Sequence, residues 1–134
     1  MFGCFKEKQI NSKVQNVSEE EELEEKIFFV NVEIPTILSP MGDRADAEDL
    51  IDDFLQENNL GEVDGGGTHL PSEGFDGSSE ITIVLKELNI NHYKRLAKFI
   101  KENIQLPKGS KLRAERENYY SDEELKGFDD IELS

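Results

Sequence analysis

Two stretches of the chain alternate apolar and polar residues with the period of a β-strand. Lys26 to Ile34 sends Phe28, Val30, Val32 and Ile34 to one face and is stopped by Pro35, and Glu80 to Leu88 sends Ile81, Ile83 and Leu85 to one face. Two other stretches carry helical spacing. From Asp43, read as a capping residue, to about Asn58, the residues Ala47, Leu50, Ile51, Phe54 and Leu55 form an apolar stripe. After Asn89 or Asn91, the residues Tyr93, Leu96, Ala97, Ile100 and Ile104 do the same until Pro107-Lys108-Gly109 breaks the pattern. Between the first helix and the second clear strand lies Leu60 to Leu70 with the only glycine triplet, Gly65-Gly66-Gly67. Flanked by Val63 and Leu70, it reads as an irregular strand with a bend or bulge. Ser110 to Arg116 supplies a last short strand, whose Lys111 and Arg113 suit a sheet edge.

The order strand, helix, strand, strand, helix, strand predicts an α+β domain of the ferredoxin-like βαββαβ type. Four antiparallel strands would carry two helices on one face. The first helix is acidic and the second basic, and the fold sets them side by side. The other face is left open, with Ile27, Phe29 and Val84 pointing to it, so it is expected to be covered by a partner, a terminal segment or a second copy in a homodimer.

Charge divides the chain into three parts. Of the formal net charge of −15, much sits at the ends: residues 1–25 hold three Lys and seven Glu, and residues 117–134 hold one Lys and seven acids. With few apolar residues to offset the entropy of ordering, both are expected to be mobile, an N-terminal extension (1–25) and a C-terminal tail (117–134) around a domain at 26–116. A strongly acidic chain is repelled by nucleic acid and by anionic membranes and attracts a basic protein. No apolar segment has the length of a signal peptide or a membrane span, and the single Cys4 forms no internal disulfide, which points to the cytoplasm.

Chemical motifs are sparse. The glycine triplet lacks the Gly-Lys-Ser/Thr ending of a phosphate loop. His69 and His92 are the only histidines, too few for a zinc set, and the aspartates of the first helix lack calcium-loop spacing. No nucleophile motif or nucleotide fingerprint is present, so neither an enzyme nor a metal or other cofactor is expected.

The run from Leu60 to Thr68, with Leu106-Pro107-Lys108-Gly109-Ser110 after the second helix, resembles a group of small bacterial ferredoxin-like proteins with a G-x-V-x-G-G-G-T strand. Some of these are similar to immunity proteins that neutralise secreted toxins. That resemblance, together with the charge, implies a non-enzymatic acidic module that occludes a basic nuclease-type toxin. Its expected contact residues are Asp46, Asp49, Asp52, Asp53 and Glu57, joined by Tyr119, Tyr120 and Phe128 of the tail. The alternative is a small-ligand-sensing or scaffold domain that dimerises through its open sheet and binds a metabolite at Asp64, Gly65, Gly66, Gly67, Thr68 and His69.

Overall fold

The structure, a computed structural model, describes residues 27–39, 41–116 and 120–134. The expectations for residues 1–25 and for Tyr119 fall outside this set. The described elements are β1 (Phe28–Ile34), α1 (Asp43–Glu57), β2 (Gly61–His69), β3 (Ser78–Leu85), α2 (Ile90–Asn103), β4 (Lys111–Ala114) and β5 (Ile131–Glu132). They form an α+β unit with one antiparallel sheet in the order β2-β3-β1-β4-β5. Among the described residues no helix is long and apolar enough to cross a membrane.

The alternation read from the sequence sets the layers. Phe28, Val30, Val32 and Ile34 from β1 and Ile81, Ile83 and Leu85 from β3 are buried. They share one core with Ala47, Ile51 and Leu55 of α1 and Tyr93, Leu96, Ala97 and Ile100 of α2. The helices meet through the stacked rings of Phe54 and Phe99, 4.2 Å apart, and through Arg95, which donates to Asn58 Oδ1 at 2.9 Å. Asn89 caps α2 by accepting from the backbone N–H groups of Asn91 and His92. Helix α1 starts differently from the sequence reading. Asp43 is its first residue rather than its cap, Gly42 precedes it without a side-chain cap, and Asp43 and Asp46 place negative charge in the first turn.

Four strands become five because the C-terminal segment is part of the fold. Leu125, Phe128 and Leu133 are buried, and the Phe128 ring lies 5.2 Å from Phe28 and 5.4 Å from Tyr93. Tyr120 packs edge-on against Phe28 at 5.8 Å. Residues 120–134 are therefore a packed closing segment and not a mobile tail. The sequence reading missed this because Leu125, Phe128, Ile131 and Leu133 look insufficient among the seven acids of residues 117–134, whereas three of these four are buried. The same segment corrects the edge position of β4: Lys111 pairs with Glu132 and Leu112 with Ile131, so β5 covers that side.

The open face of the sheet is mainly polar. Thr82 donates to Asn31 at 2.9 Å, Arg113 reaches Glu33 at 3.3 Å and Asp130 at 3.7 Å, and Lys111 lies 3.6 Å from Asp130. The apolar residues expected there are confined to one end, with Ile27 exposed and Phe29 and Val84 half-buried.

Candidate functional site

The glycine-rich strand takes its form from α1. The register of β2 against β3 shifts between Val63 and Gly65, leaving Asp64 as the extra residue of the bulge that the sequence implied. Three polar residues of α1 at four-residue spacing lie along this strand. Asp52 Oδ1 accepts from the Val63 backbone N–H at 2.9 Å, Glu48 pairs with Arg44 at 3.3 Å, and Arg44 Nη1 donates to Thr68 Oγ1 at 2.7 Å. A Cβ at Gly66 would collide with the Glu48 carboxylate and would lie 3.1 Å from both Arg44 Nε and the Glu80 carbonyl oxygen. The glycine thus makes room for a charged pair laid flat between helix and strand.

This arrangement separates the residues of the expected ligand site. Gly66 and Thr68 face α1, where they are occupied by its side chains, whereas Gly65 and Gly67 sit on the open face and Asp64 projects from the bulge. His69 pairs with Glu80 at 3.3 Å on that open face. The six do not converge on one point. His92 is half-buried in the first turn of α2, and among the described residues no three His, Cys, Asp or Glu side chains are grouped as metal ligands.

The acidic residues of α1 are likewise split between two directions. Asp46, Asp49, Asp53 and Glu57, at spacings of three and four, form an exposed stripe facing away from the core. Asp52 does not belong to it, since its carboxylate is turned to the β2 bulge and also accepts from Gln56 Nε2 at 2.7 Å. Replacing Asp52 by Ala should cost about 1–3 kcal/mol in urea unfolding, because the Val63 N–H loses its partner beside the helix. Asp53→Ala should change stability by no more than about 0.5 kcal/mol. Equal effects of the two substitutions would contradict this division.

Beside the stripe, Leu50 keeps 46% of its surface exposed. It forms one wall of a groove of about 510 Å³, with Asp43 and Asp46 at the rim and Leu38, Ile104 and Leu106 across from it. Acidic charge and accessible apolar surface therefore adjoin on one side of the molecule. Sequence periodicity placed Leu50 in the apolar stripe of α1 but could not show that it lies at the margin of the core, because the segment after α2 forms the opposite wall. Of the expected contact aromatics, Phe128 is buried and Tyr120 is half-buried against Phe28, so both are engaged within the fold.

Comparison with known proteins supplies no relative: no family model, no curated protein and no solved structure matches the chain.

Proposed function

We propose that this chain is a non-enzymatic binding module of the ferredoxin-like class that occludes a basic protein, as an immunity protein does with a nuclease-type toxin. The order β2-β3-β1-β4, with helices after β1 and β3, supports the fold assignment, and β5 is an addition to that plan. The observation that carries the function is the stripe of Asp46, Asp49, Asp53 and Glu57 beside the groove at Leu50. These four carboxylates are exposed on the outer side of α1, while Asp52 serves the fold. A cationic partner is steered to them by the net charge of −15, and an apolar side chain of that partner is held at Leu50. An acidic inhibitor of this kind competes with nucleic acid for the same positive cleft.

The test is capture of basic proteins from a lysate of the source cell on the purified chain, followed by a binding titration of the captured protein at low and high salt. Reversing Asp46, Asp49 and Asp53 to Lys should weaken binding at least ~30-fold, equivalent to about 2 kcal/mol, and flatten its salt dependence. Undiminished affinity in that variant would exclude the helix as the contact surface. Asp52 is left unchanged so that the fold is not disturbed.

A further inference from the structure

The two edges of the sheet are unlike. On one side β5 ends it with two residues, Ile131–Glu132, whereas on the other β2 ends it with nine, Gly61–His69. Among the described residues β2 pairs with β3 alone, and no other strand meets its outer side. The first half of this long edge is blunted, because Asp52 takes the Val63 N–H and the bulge at Asp64 interrupts the ladder. The second half, residues 65–69, has no lysine, arginine or proline and keeps a regular register with β3 from Gly65 opposite Thr82 to His69 opposite Ser78. In an antiparallel ladder every second residue turns its N–H and C=O away from the neighbouring strand, so this stretch presents unpaired donors and acceptors to solvent. Gly66 is exposed, and in a glycine that exposure is backbone. Packing does not require the bareness to continue at Gly67: a Cβ there would meet nothing closer than 3.8 Å, and its φ is not in the left-handed region.

The surrounding charge selects what can pair there. Glu62 and Asp64 are exposed on the strand itself, and Asp49 and Asp53 are exposed on α1, whose Asp52 touches β2. Glu80 is the partner of Gly67 across the ladder. Arg44 is committed to Glu48 and Thr68. A second copy of β2 set edge to edge would bring the same acids and no lysine or arginine, in a chain whose net charge is −15, and like charges across a strand pair are destabilising. An extended segment rich in lysine or arginine meets the opposite field. We propose that residues 65–69 accept an extended basic segment of another protein as a sixth strand. Backbone bonds hold it, and its side chains, alternating between the two faces, meet Asp49 and Asp53 on one side and Glu62 and Glu80 on the other. The contact is made by the edge of the sheet and not by the groove at Leu50, and it is tested without the basic partner of the preceding proposal, so either can fail while the other stands.

The probe is the end-blocked peptide Lys-Val-Lys-Val-Lys-Val-Lys, titrated into the full chain and followed by amide hydrogen exchange. In the free chain every second amide of residues 65–69 should exchange at close to the unprotected rate. With the peptide at about ten times its Kd those amides should slow ~10-fold, while the amides of α2 keep their rates. The same peptide N-methylated at every residue retains its charge and side chains but has no N–H to donate, and should cause no slowing. Gly67→Lys places a cation on the edge where a side chain has room, and Gly67→Glu places an anion there. The peptide should bind the lysine variant at least about 5-fold more weakly than the glutamate variant. Equal slowing by the methylated peptide, equal affinity of the two variants, or no slowing at any peptide concentration would overturn the proposal. Slow exchange of the whole stretch in the chain alone would overturn it as well: slowing lost on dilution would give the edge to a second copy, and slowing kept on dilution would give it to a segment of the same chain.

Discussion

Cutting the chain after Arg116 is expected to unfold the domain and not merely to shorten it. The lost segment carries Leu125, Phe128 and Leu133, each no more than 4% exposed. Emptying a buried Leu or Phe site costs about 2–5 kcal/mol. Three such losses together reach the scale of the whole stability of a small domain, about 5–15 kcal/mol. The remaining chain would also expose Phe28 and Tyr93, whose rings Phe128 covers, and would leave β4 as an unprotected edge. Circular dichroism of the truncated chain should show no cooperative thermal transition. A transition with the midpoint and steepness of the full chain would show that the segment is dispensable. Phe128→Ala alone should lower stability by about 3–5 kcal/mol, a smaller effect from the same cause.

Alkaline unfolding should be governed by Tyr93. Its side chain is fully buried, and its hydroxyl donates to the carbonyl oxygens of Asp129 at 2.9 Å and Leu112 at 3.2 Å. Burial is the main cause, and the nearby Asp130 a second, of a pKa well above the ordinary phenol value of 10.0. The raised folded-state value fixes the sign. Below pH 10 the phenol is protonated in both states, and its contribution to stability is fully present. As pH rises past 10 the unfolded chain ionises first, and stability falls by about 1.4 kcal/mol for each further pH unit until the folded phenol also ionises. Denaturant midpoints should thus decline steeply above pH 10. In Tyr93→Phe that decline should be shallower by close to one proton, with a lower plateau at neutral pH because the two carbonyl oxygens lose their donor. An unchanged slope in the variant would assign the alkaline transition to other groups.

Periodicity alone exposed much of this architecture. Alternation placed Phe28, Val30, Val32 and Ile34 on the core face, and helical spacing picked out Ile51, Leu55, Leu96 and Ile100, because each of these elements buries one continuous side. The bulge in β2 was also legible, since glycines next to Val63 in a strand imply a bend or a close approach. Its cause was not. Asp52 reads in the sequence as one more acidic contact of α1, and Arg44 and Glu48 carry no signal of their own there, until the sheet brings β2 beneath all three; only that tertiary contact explains Gly66. The C-terminal segment was misread for a related reason: composition averages over a stretch, whereas Leu125, Phe128 and Leu133 act singly, each filling one place in a core built by residues far away in the chain. For the candidate site, the acidic residues of α1 were visible, but their division into an outward stripe and a buttress for the bulge depends on the direction in which the helix docks.

The late position of the closing segment also bears on how the chain acquires its shape during synthesis. The ring of Phe28 is made at the beginning of the domain, and its partner Phe128 is added one hundred residues later, a delay of about 5–20 seconds at ordinary translation rates. Through that interval the nascent sheet has its central aromatic cluster incomplete. Folding of this domain is consequently completed only after Leu133 has cleared the ribosomal exit tunnel, so a stalled ribosome would hold an open sheet that a released chain never shows.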